Sequence, residues 1–302
     1  MLIFDNHFHL DFASLGVKAV KDFESSGGTH IMLVHTILTD YETTLKLAEL
    51  VRRETNVKVF VALGPHPAEL TKLLEKFSLK ASVEKMKKGI EAAGKYVMEK
   101  SSVAIGEIGR PHYDVPDDKQ ETKFPAFQGM LRIPVDKQEK ELSCVPRNSI
   151  GIPVDVWDAS NKIMEYAMCV AKDVDCPVIL HTETATRETF REIAKTADKV
   201  GLKREKIIKH YSPPLVKLED NFGIFPSILA GKDAIKEAVK ISNRFMMETD
   251  YMDDIKRPGA VLGPKTVPRV TKLFLEKGIF TENDIIKIHK ENPEKVYGIE
   301  IQ

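Results

Sequence analysis

The sequence predicts an α/β fold: a (β/α)8 TIM-type barrel with an insertion after strand 4. Three observations predict it. Eight short apolar runs alternate with segments of helical spacing along the 302 residues, the rhythm of a parallel sheet built from crossover units. Imidazoles and carboxylates follow these runs almost immediately, at the C-terminal strand ends where barrels of this kind carry their sites. The competing open, doubly wound sheet normally shows a Gly-rich turn after its first strand, and Asn6-His7-Phe8-His9 stands there instead.

Taken in order, Leu2 to Asp5 is the first buried strand and runs into His7-Phe8-His9. Ser14 to Ser26 has helical spacing and stops at Gly27-Gly28. His30 to His35 is apolar throughout its centre, as in a strand covered on both faces. Asp40 caps a helix to about Glu54, and Val57 to Leu63 is the third strand, closing on Gly64-Pro65-His66-Pro67. A helix over Ser82 to Glu99 precedes the fourth strand, Ser102 to Glu107. From 117 to 153 the rhythm breaks, with mixed charge, several prolines and no period. That stretch is too short for a domain and too long for an ordinary loop. It reads as an insertion, either a mobile loop, a lid over the site, or a tolerated surface segment. The pattern resumes with a helix from Asp158 to Lys172, strand five at Pro177 to His181, and a helix from Thr186 to Val200 that Gly201 ends. Lys206 to His210, Asn221 to Ile228 and Arg244 to Asp250 supply strands six to eight. Helices at Asp233 to Ile241, Val267 to Gly278 and Glu282 to Tyr297 complete a single domain, 1–302.

Composition narrows the function classes. The hydrophobic share of 42% and charged share of 30% are ordinary for a globular chain. Lys plus Arg equals Asp plus Glu at 45 each, so no net charge pulls the chain toward nucleic acid or an anionic membrane. Cys144, Cys169 and Cys176 show no CxxC spacing and fit reduced thiols in a cytoplasmic protein. No apolar stretch approaches the ~18 residues of a membrane span, and no secretory leader pattern is visible. No protein partner is implied.

The strand ends gather His7, His9, His66, Glu107, His181, His210 and Asp250. Residues i and i+2 of an extended segment point the same way, so His7 and His9 can aim at one point and chelate a cation. Imidazole mixed with carboxylate suits Zn, Mn or Mg rather than a thiolate site. The set exceeds the needs of one catalytic metal, and two divalent ions bridged by Glu107 are the economical arrangement. His30 starts its strand at the opposite end and receives no chemistry; His35 is ambiguous; His289 reads as a surface residue.

At these positions the chain resembles the TatD family of metal-dependent hydrolases and deoxyribonucleases, within the amidohydrolase superfamily. The resemblance rests on His7-Phe8-His9, Gly64-Pro65-His66-Pro67, Gly106-Glu107-Ile108-Gly109, Leu180-His181-Thr182-Glu183, His210-Tyr211-Ser212, Glu248-Thr249-Asp250 and Asn292-Pro293-Glu294-Lys295-Val296-Tyr297-Gly298-Ile299, in that order. It implies that His7, His9 and Asp250 hold a first metal, that Glu107 bridges, and that His181 and His210 hold a second. It also implies His66 beside the substrate, Asp250 as acceptor of a proton from metal-activated water, and a nucleic acid 3′ end as substrate. The family's usual Leu-Asp-Tyr after the glutamate motif is replaced by Arg110-Pro111-His112-Tyr113. Arg110 is therefore either a phosphate clamp or a rim ion pair, and His112 either a substrate contact or exposed. Glu183 either orients a ligand imidazole or faces solvent. The rival functions are hydrolysis of a small amide, lactone or phosphate ester at the same metal pair, and a non-catalytic metal-binding barrel.

Overall fold

In the computed structural model, which describes residues 1–36, 40–111, 152 and 154–302, the predicted barrel is present. Strands β1 (Phe4–Phe8), β2 (His30–Val34), β3 (Lys58–Leu63), β4 (Ala104–Gly109), β5 (Val178–His181), β6 (Ile207–Lys209), β7 (Phe225–Leu229) and β8 (Met246–Glu248) pair in parallel and in chain order. Closure between β8 and β1 depends on a few contacts. Asp5 accepts the Thr249 N–H at 2.9 Å and its hydroxyl at 2.7 Å. The His9 N–H donates to Tyr251 O at 2.8 Å.

Period two along the strands sorts the core. Phe4, Met32, Val34, Ala62, Ala104, Ile179, Ile208, Phe225 and Met246 fill the barrel interior. Their neighbours Ile31, Leu33, Val61, Ile105, Val178 and Ile207 pack with the surrounding helices. The helices are α1 (Val17–Ser25), α2 (Tyr41–Glu54), α3 (Pro67–Leu74), α4 (Leu79–Met98), α5 (Val154–Asp173), α6 (Arg187–Val200), α7 (Leu218–Asn221), α8 (Lys232–Ile241), α9 (Thr266–Glu276), α10 (Glu282–Ile286) and α11 (Asn292–Tyr297).

The structure differs from the sequence expectations at four places. Helix α3 is extra: His66 caps it, its Nδ1 accepting the Ala68 N–H, and Pro67 opens it where a missing N–H costs nothing. Helix α5 starts four residues before Asp158. The expected seventh strand begins instead with short α7 and a turn at Gly223, φ 90°. The last predicted helix is split by a π-helical turn, Lys287–Glu291, just before Pro293. Pro293 has no N–H to give the preceding turn, and a wider turn accommodates its ring. The predicted insertion (117–153, apart from Ile152), Cys144 within it and His112 lie outside the described residues.

His289 sits in that π turn and is not a surface residue: it is fully buried. Its Nδ1 lies against the Phe4 backbone and its Nε2 is 3.0 Å from Thr271 Oγ1. Burial pushes its pKa down to about 4. A histidine neutral in the fold but near 6.5 when unfolded takes up its proton in the unfolded state first. Stability is therefore intact above about pH 6.5 and declines as pH falls toward 4, by on the order of 3 kcal/mol for this ring. His289→Gln should flatten that part of a urea-denaturation series between pH 7 and 4. Parallel wild-type and variant curves would rule the assignment out.

Two loops at the C-terminal end of the barrel are tied together by Asp253. Its buried carboxylate accepts the N–H groups of Asp11 (3.1 Å), Leu15 (3.0 Å) and Gly16 (2.7 Å) and the Tyr251 hydroxyl (3.2 Å). The β1–α1 and β8–α9 connections are thus one unit beside the strand ends.

Candidate metal centre

Simple alternation would misplace half of the candidate ligands. Counting by twos from interior Phe4 and Ala104 sends His7, His9 and Glu107 to the helix side. The β1–β2 register shifts between Asp5 and Phe8, and the β4–β5 register shifts between Ile105 and Ile108. Such irregularities re-aim side chains, and here they turn these three residues inward. His181, His210 and Asp250 need no such correction, because they are two or four residues beyond interior Ile179, Ile208 and Met246. Glycines make room at the β4 bend. A Cβ on Gly64 would lie 2.5 Å from Gly106 O, and one on Gly109, at φ 145°, only 2.0 Å from His181 O.

The result is one buried cluster organised on the two oxygens of Glu107. Oε2 faces Nε2 of His7 at 3.2 Å and of His9 at 3.7 Å. Oε1 faces Nδ1 of His181 at 2.5 Å, Nε2 of His210 at 3.3 Å and Nε2 of His66 at 3.5 Å. Asp250 Oδ1 stands 3.5 Å from His9 Nε2 and 3.9 Å from Nε2 of both His7 and His210. His7, His9, His66, Glu107, His181, His210 and Asp250 are thus brought together as predicted.

The donor set fits divalent cations. The Nε2 atoms of His7 and His9 are 3.1 Å apart. Two nitrogens about 2.1 Å from a shared ion are separated by roughly 2.9–3.4 Å at octahedral to tetrahedral angles. His9 gives its Nδ1–H to Val34 O at 3.0 Å, which leaves an Nε2 lone pair for a ligand. Burial pushes His181 and His210 down to about 3, so both are neutral donors at pH 7. Burial also disfavours charge on His7, but Glu107, with Glu248 and Asp250, more than reverses it and raises its pKa to about 9. Burial pushes the Glu107 carboxyl up, yet the imidazoles of His66, His210, His7 and His181 outweigh it and hold it well below the usual range. Among the described residues, three groups of close donor atoms could hold an ion: His7, His9 and Glu107; His66, Glu107 and His181; and His7, His210 and Glu248.

His66 differs from the other imidazoles. Its Nδ1 accepts the Ala68 N–H at 3.0 Å, so the neutral ring carries its proton on Nε2, the atom facing Glu107. It is built to donate a hydrogen bond rather than a lone pair.

Arg110 is buried and its polar partners are internal. Nε donates to Asn161 Oδ1 at 2.7 Å, Nη1 to Glu183 at 2.9 Å and Nη2 to Glu192 at 2.7 Å, and the guanidinium stacks 4.1 Å above Trp157. Of its two sequence readings, the structure displays the ion pair. Glu183 accordingly neither faces solvent nor touches a ligand imidazole; it takes Arg110 and the Thr189 hydroxyl. His35 packs edge-on to Tyr41 and 3.1 Å from Thr44 Oγ1, and His30 lies at the other end of the barrel with Thr29 and Phe60. Sequence reasoning passed over Asp5, Glu248 and Asp253. Sequence position offered a signal for the first two: Asp5 and Glu248 each lie two residues before a candidate ligand, His7 and Asp250.

A parallel barrel with imidazoles and carboxylates converging at the C-terminal strand ends has the layout of a metal-dependent hydrolase. Comparison with known proteins narrows that class. A family model described as "TatD related DNase" matches residues 4–140 and 149–298, and the chain belongs to the TatD family of hydrolases. The uncharacterized protein MJ1127 of Methanocaldococcus jannaschii is 37% identical over 99% of this chain and 96% of its own. Among solved structures, the TatD homologue YJJV of Escherichia coli superposes with a TM-score of 0.62 at 18% identity, covering 98% of each chain. The lactonase Lmo2620 of Listeria monocytogenes superposes with a TM-score of 0.60 at 13% identity, covering 98% of this chain and 94% of its own. At such identities the structures speak for the shared barrel alone. Among the described residues, no helix is long and apolar enough to cross a membrane.

Proposed function

We propose that residues 1–302 form one hydrolase domain that binds two divalent ions (Zn, Mn or Mg) and cleaves phosphodiester bonds, with the 3′ end of DNA as the favoured substrate. The observation that carries this proposal is the split of Glu107: one oxygen toward His7 and His9, the other toward His181 and His210. His7, His9 and Asp250 would hold one ion and His181 and His210 the other, with Glu107 placed between the two groups. When bound, such ions would supply a nucleophile near neutral pH and positive charge for the reacting oxygens. Asp250 would accept a proton from the attacking water. Its backbone takes a left-handed φ of 48°, a conformation costly enough to need surrounding support. His66 donates Nε2–H to a substrate oxygen. Because Arg110 is engaged with Glu183 and Glu192, substrate phosphates are gripped by groups other than Arg110.

The test uses the full chain stripped of metal and reloaded with Mg2+, Mn2+ or Zn2+. It is incubated with a 5′-labelled single-stranded oligonucleotide, a chromogenic diester, and a panel of small esters, lactones and amides. Stepwise loss of 3′ nucleotides that chelation abolishes is the expected result. Turnover confined to small substrates would replace the DNA assignment with the small-substrate one, and no turnover of any kind would favour a binding barrel.

A further inference from the structure

Beneath the histidine cluster lies a second carboxylate that the hydrolytic assignment leaves unused. Glu248 ends β8 and is fully buried. A carboxylate oxygen of Glu248 and one ring nitrogen each of His7 and His210 all lie within 4.8 Å of one another. Oε1 of Glu248 is 2.8 Å from Nδ1 of His210, at hydrogen-bonding distance but off the in-line direction. The Nδ1 atoms of His7 and His210 are both buried, with no aligned hydrogen-bond partner among the described residues. The two rings stack, with centroids 3.8 Å apart and planes 20° apart. A neutral imidazole offers Nε2 to a cation only when its proton sits on Nδ1, and a buried Nδ1–H requires an acceptor.

Glu248 is itself held from behind. The Tyr211 N–H donates to Oε1 at 2.7 Å, from a residue in the left-handed conformation at φ 51°. The Ser227 hydroxyl donates to Oε2. Asn6 Nδ2 donates to Ser227 Oγ at 2.9 Å, and the Tyr297 hydroxyl donates to Asn6 Oδ1 at 2.9 Å. This buried chain links α11, β1, β7 and β8, and each donor in it points toward the carboxylate. Such an arrangement fixes the carboxylate in place as an acceptor.

We propose that Glu248 is a positioning residue: it accepts Nδ1–H of His210 and lies under His7, so that both rings keep an Nε2 lone pair available to a cation. This extends the hydrolase proposal and rests on it. A carboxylate behind a ligand imidazole fixes the tautomer and ring orientation and commonly changes metal affinity by about 10–100-fold.

The test compares wild type with Glu248→Ala and Glu248→Gln, as full-length metal-free proteins. Nitrogen-15 spectra of labelled histidines report the tautomers, and calorimetric titration with Zn2+ reports affinity. Glu248→Ala should lose the Nδ1–H form of His210 and weaken Zn2+ binding by about 10–100-fold. Glu248→Gln, whose amide oxygen still accepts, should recover most of the tautomer and part of the affinity. Ser227→Ala keeps the carboxylate but loosens it, so it should weaken binding by a smaller factor even if Glu248→Ala does not fold. Wild-type tautomers and wild-type affinity in the folded variants would overturn the role of Glu248 alone. A wild-type protein that takes up no Zn2+ would instead overturn the hydrolase proposal beneath it.

Discussion

Glu107→Gln should abolish hydrolysis while leaving the barrel folded. The amide matches the carboxylate in size, so packing at the β4 bend is kept. One end of the amide is a donor, however, and can no longer face lone pairs on both sides. Either the His7–His9 side or the His181–His210 side loses its acceptor. Losing a bridging charge removes several kcal/mol of transition-state stabilisation, which is a rate loss on the order of 10³-fold or more. The charge of Glu107 is also the main support for a proton on His7, whose pKa stands at about 9. Ion uptake at pH 8 should therefore release more protons from the metal-free wild type than from the variant. Steady-state rates and calorimetry in two buffers of different ionisation enthalpy check both outcomes. Wild-type turnover in the variant would contradict the role given to Glu107.

Gly109→Ala should have the largest effect on stability. Its φ of 145° belongs to a region that residues with a Cβ rarely adopt. The added carbon would also lie 2.0 Å from His181 O, a rigid backbone atom. That same oxygen accepts the Arg110 N–H at 2.9 Å. Relief requires β4 to move away from β5, which separates Glu107 from His181. We expect a loss of about 3 kcal/mol or more in urea denaturation, together with lowered ion affinity. A variant within about 1 kcal/mol of wild type would show that the β4–β5 contact yields more readily than its geometry suggests.

Much of this architecture is written locally. The fully apolar run through Ile31, Met32, Leu33 and Val34 carries its strand identity in its composition, and Thr186 and Gly201 mark their helix at both ends with a capping box and a left-handed stop. The convergence of the seven strand-end residues was legible because barrel topology puts every strand end on one face. How His7, His9 and Glu107 come to face inward was not legible. It depends on register shifts that arise when β1 and β4 meet their neighbours. Arg110 was readable only as two alternatives, since its partners Asn161, Glu183 and Glu192 come from elements far away in sequence. His289 was misjudged for a related reason. A histidine among Lys287, Lys290 and Glu291 has a polar local context, and only the closing helices turn it under Phe4. Glu248 is similar: nothing near it in sequence announces Asn6 and Tyr297, which reach it through Ser227.

The most direct test counts ions. Metal-free wild-type protein is reloaded with Mn2+ or Zn2+, freed of excess, and its metal content per chain is measured by elemental analysis. Two ions per chain in wild type, fewer in Glu107→Gln, and activity that rises with occupancy are the expected result. A chain that retains no ion, or that turns over substrate equally well after exhaustive chelation, would contradict a metal pair held on Glu107.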